Sequence, residues 1–102
     1  MADGLILEFD GLSTDTYERV NEALGIEMET GEGDWPAGLI SHTGAAADNG
    51  FVVFEVWRSK ADQERFMDER LGAALQAGGV DGPPSRVEWL DLAAHHERPE
   101  QV

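Results

Sequence analysis

Alternation with a period of two opens the chain. In GLILEFD, Leu5, Leu7 and Phe9 alternate with Ile6, Glu8 and Asp10, which predicts a half-buried first strand over Gly4 to Asp10. The period then changes. Tyr17, Val20, Asn21 and Leu24 recur at helical spacing after Ser13, a residue suited to capping a helix N-terminus, and Gly25 supplies a stop. A first helix over residues 14–24 follows, with Asp15 where the helix dipole favours an anion. From Gly38 to Arg58 the alternation returns, interrupted by Asn49-Gly50, a pair suited to a two-residue hairpin turn. With those two residues as the loop, Asp48 faces Phe51, Gly44 faces Glu55 and His42 faces Trp57. One side of the hairpin then carries Ile40, His42, Phe51, Val53, Glu55 and Trp57, and the other carries Leu39, Ser41, Thr43, Val52, Phe54 and Val56.

Ser59, with Asp62 three positions on, opens a second helix. Its apolar stripe is Phe66, Met67, Leu71, Ala74 and Leu75, and Gly78-Gly79 ends it near residue 77. A last strand is expected from Ser85 to Leu92, where Val87 and Trp89 alternate with Glu88 and Leu90. Between the first helix and the hairpin, Ile26 to Pro36 reads as a long solvated loop. Its acidic residues do not match the spacing of a calcium loop. Trp35, before Pro36, is expected at the core edge or over a pocket mouth. Residues 1–94 form one domain on this reading, and the tail, 95–102, has little to bury and is expected to be mobile.

The order strand, helix, strand, strand, helix, strand is the split βαβ plan of the ferredoxin-like fold. The expected class is therefore α+β, a four-stranded antiparallel sheet with two helices on one face. The strand Phe51 to Trp57 is apolar on both sides except for Glu55, whereas a strand with one wet face should alternate. Its second face needs a cover. With two helices spent on the first face, the expected cover is the sheet of another copy, an isologous homodimer that closes into a dimeric α/β barrel.

Charge narrows the partners. Asp and Glu number 21 against 7 Lys and Arg, a formal net charge of −14. Nucleic acid and anionic lipid are poor partners for such a chain, because phosphate binding needs clustered basic residues. No apolar run approaches the roughly 18 residues of a membrane span. The start, Met-Ala-Asp-Gly, lacks the basic and apolar blocks of a secretory signal, so a cytoplasmic location is expected. The chain has no cysteine and so neither disulfides nor thiolate metal sites.

Candidate chemistry gathers on one face of the hairpin, where His42, Glu55 and Trp57 bring together an imidazole, a carboxylate and a large aromatic. A carboxylate in an apolar strand needs a partner, and the imidazole is the natural one. His42 and Glu55 are the expected acid–base pair, with His42 taking a proton from the substrate and Trp57 stacking on its ring. Tyr17 and Asn21, one turn apart on the first helix, reach the same cavity if it lies on the helix-covered face. Phe66 belongs first to the packed stripe of its helix and second to the pocket. Alternatively, His42 and Glu55 satisfy each other at a dimer seam and Trp57 fills core. His95, His96 and Glu97 do not converge as metal ligands, so no metal and no cofactor are expected.

The run FEVWRSKADQERFMDERL resembles the Glu-x-Trp signature of the antibiotic biosynthesis monooxygenase family, within the dimeric α/β-barrel superfamily. The resemblance implies a homodimer and, by analogy with some members, oxidation of phenolic or quinol-like molecules by dioxygen without metal or flavin. It also implies that Trp57, which matches the strand tryptophan of that signature, lines the substrate cavity. Val53 stands where the aromatic-oxidising members carry asparagine. The expected function is a cofactor-independent monooxygenase acting on a small aromatic or quinol-like substrate. The alternative is a non-catalytic dimer that binds or senses a small hydrophobic or aromatic ligand.

Overall fold

The computed structural model describes residues 2–96. The main sheet has four antiparallel strands, β1 (Asp3–Asp10), β4 (Leu39–Ala47), β5 (Gly50–Trp57) and β6 (Arg86–Asp91), in the order β4-β5-β1-β6. That is the ferredoxin-like order, with β1 and β5 central, and the α+β class expected from the pattern is the one observed. Helix α1 (Thr14–Leu24) starts where Ser13 accepts a hydrogen bond from the Thr16 N–H, and it ends at Gly25, whose φ of 77° permits the left-handed cap. Helix α2 (Lys60–Phe66) is capped by Ser59, which accepts from the Asp62 N–H. It runs through a π-helical turn, Met67–Leu71, into α3 (Gly72–Ala77).

Both helices pack on one face of the sheet. Val20 and Leu24 of α1, Phe66 and Ala74 of the second helix, and the inward residues Leu5, Leu7, Phe9, Phe51, Val53 and Trp57 form one core. The helices touch closely at Gly78, where a side chain would collide with Val20. The opposite face holds Ile6, Val52, Phe54 and Leu90, all half-buried, around the fully buried Val56. Leu92, just past β6, packs against this face at Gly4 and Phe54.

The segment expected as a bare loop carries a small hairpin. Strands β2 (Ile26–Glu27) and β3 (Glu32–Gly33) pair with each other, and a side chain at Gly33 would strike the backbone of Gly25. Arg70, in the π-helical turn, holds this segment down. Its guanidinium donates to the carbonyl of Leu24 at 2.9 Å and to that of Asp34 at 2.6 Å. The mobile tail expected over 95–102 falls mainly on residues 97–102, which lie outside the described residues.

The register of β4 on β5 differs from expectation. His42 pairs with Glu55, Gly44 with Val53 and Ala47 with Gly50, so the turn is Asp48-Asn49 and not Asn49-Gly50. Neither turn residue takes a positive φ, so the Asn-Gly turn geometry is not used. Gly50 serves another purpose: it pairs with Asp10 of β1, and a side chain there would collide with the Phe9 carbonyl. The pairing moves by two positions, which preserves parity, so His42 still shares a face with Phe51, Val53, Glu55 and Trp57. A bulge between Leu39 and Ser41 does change faces, however. It sets Leu39 opposite Trp57, on the side of His42, and leaves Ile40 48% exposed.

Candidate functional site

The helix-covered face of the sheet encloses an apolar cavity of about 60 Å³. Phe9 of β1, Phe51 and Val53 of β5, Val20 and Leu24 of α1 and Phe66 of α2 supply most of its wall. Tyr17, Asn21, His42 and Glu55 bring polar groups to the lining. Trp35 and Pro36 also line it from the loop before β4, together with Met28, which is 36% exposed.

The polar groups form a chain. Glu55 is buried, at 6% exposure, and both its oxygens are engaged: Oε1 accepts from the Trp57 indole N–H at 3.0 Å, and Oε2 lies 2.8 Å from His42 Nδ1. The other ring nitrogen, His42 Nε2, lies 2.5 Å from the Tyr17 hydroxyl. A carboxylate only accepts, so the network assigns the His42 proton to Nδ1 and leaves Nε2 to accept from the Tyr17 O–H. The sequence of donors thus runs from Tyr17 to His42 to Glu55, with Trp57 fixing the far oxygen. Hydrogen bonds to a charged acceptor are stronger than neutral ones, and this one is shielded from water.

Tyr17 is positioned by more than its hydroxyl. Its ring stacks on Phe51 at a centroid separation of 4.3 Å, and the Trp35 ring closes on His42 at 6.0 Å. Burial pushes the phenol pKa above its ordinary value; the nearby Asn21 amide lowers it, and the negative charge of Glu55 raises it. A neutral phenol is therefore the form the site favours at neutral pH. Asn21 is itself buried, at 6% exposure. Its side chain lies close enough to the phenol to lower its pKa, although Nδ2 meets no partner at full hydrogen-bond geometry.

The tertiary structure brings five of the six expected site residues to the cavity wall, His42, Glu55, Tyr17, Asn21 and Phe66, and displaces the sixth. Trp57 does not line the cavity. It is fully buried behind Glu55, packs on Phe66 at 5.8 Å and supports the carboxylate from the core side. The expected stacking of Trp57 on a ligand is therefore replaced by a role in orienting Glu55. His42 also departs from expectation, because both its nitrogens are engaged and the hydroxyl of Tyr17 stands at the open end of the chain.

Gly44 is not among the residues expected at the site, although it matters to the geometry. A side chain there would approach the Tyr17 hydroxyl to 2.7 Å, so the hydroxyl reaches His42 only because position 44 has none. A glycine in the interior of a strand is the available signal for such close approach. Of His95, His96 and Glu97, the last lies outside the described residues. Among the described residues no group of three His, Cys, Asp or Glu side chains is placed to hold a metal ion, and no helix is long and apolar enough to cross a membrane.

No protein-family model matches the chain, and no curated protein matches it. Solved structures do. A protein of unknown function from Nitrosomonas europaea superposes with a TM-score of 0.61 at 19% identity, over 97% of this chain and 94% of that one. A proposed antibiotic biosynthesis monooxygenase from Bacteroides thetaiotaomicron superposes with a TM-score of 0.50 at 15% identity, over 100% of this chain and 95% of that one. A Streptomyces coelicolor monooxygenase solved with nanaomycin D gives 0.49 at 20% identity, over 96% and 91% of the two chains. At such identities the likeness is one of fold. The chain thus has a ferredoxin-like fold, shared with the first two of these structures.

Proposed function

We propose that this protein is a cofactor-independent oxygenase for a small hydroxylated aromatic molecule, with Tyr17, His42 and Glu55 as its proton relay. The observation that carries the reading is the hydrogen-bonded chain from Glu55 through His42 to Tyr17, ending at an apolar cavity. A phenolic substrate gives its proton to Tyr17 as Tyr17 passes its own to His42 Nε2, and Glu55 stabilises the imidazolium that forms. The phenolate is electron-rich at its para carbon. Dioxygen, the oxidant, forms a bond there, and loss of water leaves a carbonyl; one oxygen atom enters the product and the other leaves as water. The apolar walls favour this step by keeping bulk water from the anion.

The open face of the sheet supports a homodimer. Val52, Phe54, Ile6 and Leu90 form an apolar patch that a second copy would cover about a two-fold axis. Native mass spectrometry is expected to give a dimer, and a monomer at micromolar concentration would remove that assignment.

Oxygen-electrode assays across small phenols and quinols test the catalytic reading. Consumption of dioxygen that disappears with His42→Ala, in a protein of unchanged fold, is the expected result. Binding of these molecules without oxygen consumption would instead assign the site to a ligand-sensing protein. One observation favours that second reading: the cavity is smaller than the roughly 300–1,000 Å³ of a typical small-molecule site, so a ring enters only if a wall moves.

A further inference from the structure

We infer that Met28 is an oxidation site that governs the relay: conversion of its thioether to the sulfoxide sets a strong acceptor beside the Tyr17 hydroxyl and weakens the hold of His42 on that group. The inference rests on the hydrogen bonds of the relay, whatever reaction they serve.

The Tyr17 hydroxyl has both a nitrogen and a sulfur within reach. His42 Nε2 lies at 2.5 Å and the Met28 sulfur at 3.8 Å, the second within the longer range of a hydrogen bond to sulfur. A phenol carries one proton and a thioether is a weak acceptor, so the imidazole takes that proton while Met28 is reduced. The outcome of this competition depends on the oxidation state of one side chain.

Met28 stands where an oxidant can reach it. It follows β2 in the small hairpin that precedes β4, is 36% exposed, and lines the cavity without belonging to the core. Oxidation of sulfur follows exposure. The chain has no cysteine to react first, and Met67, in the π-helical turn, is half-buried.

The oxidant is hydrogen peroxide. A sulfur lone pair attacks one peroxide oxygen, the S–O bond forms as the O–O bond breaks, and the departing hydroxide takes the proton left on the transferred oxygen. Sulfoxide and water result, with sulfur oxidised by two electrons and peroxide reduced by them. The product is a polar side chain with an oxygen acceptor where an apolar one stood. Methionine has three rotatable bonds, so the oxygen of either sulfoxide epimer can turn toward the phenol. There it enters the 3.8 Å between sulfur and hydroxyl, and the hydroxyl either donates to it or is pushed aside. Both outcomes weaken the bond to His42 Nε2 and separate the phenol from the His42–Glu55 pair.

Peroxide treatment of the intact protein tests this. Peptide mass spectrometry is expected to find an added oxygen at Met28 before Met67 gains one. In protein oxidised at Met28, the ¹⁵N signal of His42 Nε2 is expected to shift as the hydrogen bond it accepts weakens. Methionine sulfoxide reductases A and B, one for each epimer, are expected to return it to its starting position. Met28→Leu is expected to keep its His42 signals through the same treatment. Oxidation of Met67 at or before Met28 would overturn the inference, as would a His42 Nε2 signal unmoved by oxidation of Met28, or a shift that persists in peroxide-treated Met28→Leu. The wild-type readings stand even if the variant does not fold. None of them needs a substrate, so an absence of oxygen consumption would remove the oxygenase reading and leave this inference standing.

Discussion

The hydroxyl of Tyr17 lies 2.5 Å from Nε2 of His42, which makes the phenol, and not the imidazole, the group at the cavity end of the relay. His42 Nδ1 is already held by Glu55 at 2.8 Å, so in the proposed reaction a proton leaving a ligand would reach the histidine through Tyr17. The consequences are measurable.

Tyr17→Phe removes the hydroxyl and keeps the ring that stacks on Phe51. Turnover of the phenolic substrate identified by oxygen uptake is expected to fall by about 10²-fold or more, the usual worth of a positioned acid–base group. The free energy of urea unfolding should fall by about 1–3 kcal/mol, because the mostly buried Nε2 of His42 loses its donor.

Glu55 separates geometry from charge. Glu55→Ala strands the Trp57 indole N–H and His42 Nδ1 in the core, a loss of about 2–5 kcal/mol in urea unfolding. Glu55→Gln keeps an acceptor for Trp57 but presents an amide N–H to His42. The imidazole then takes the opposite tautomer, with Nε2 protonated and donating to Tyr17. ¹⁵N chemical shifts of His42 are expected to report that exchange, together with loss of turnover in a folded protein; an unchanged tautomer would contradict a donor order running from Tyr17 through His42 to Glu55.

The chain contains one tyrosine, so ultraviolet titration of tyrosinate reads Tyr17 alone. Burial raises its pKa, so the midpoint is expected above the ordinary value of about 10 in the folded protein and to return to it in urea. A raised value means that the fold holds the proton more tightly than the unfolded chain does. Its contribution to stability is complete below about pH 10 and is lost as the pH rises through the folded value. Stability of the wild type relative to Tyr17→Phe should therefore decline in that alkaline window, and a constant difference would show that the phenol is not shielded.

Gly44→Ala tests the space in front of the phenol. The added methyl would stand 2.7 Å from the Tyr17 hydroxyl and 3.0 Å from the Phe51 ring, so one of them must move. Overpacking of this kind costs about 1–3 kcal/mol. The tyrosinate midpoint is expected to shift back toward the ordinary value as the hydroxyl is driven from its buried position, a readout that a purely structural perturbation elsewhere would not change.

Periodicity and capping were sufficient for the elements. Ser13 and Gly25 bracket α1, Ser59 opens α2, and the alternation in GLILEFD marks β1, because local sterics and backbone hydrogen bonding act within a few residues. The shared face of His42 and Glu55 was legible for a related reason. Strand parity survives the two-position change in the pairing of β4 on β5. What the sequence could not decide is what lies at long range. Which sheet face the helices cover, that Trp57 stands behind Glu55 and outside the cavity, and that the Leu39 bulge exchanges faces all depend on packing between segments far apart in the chain. The meeting of Tyr17 with His42, 25 positions later, is of the same kind. Periodicity states which side chains share a side, and only the burial of one side against another element says which side becomes the site.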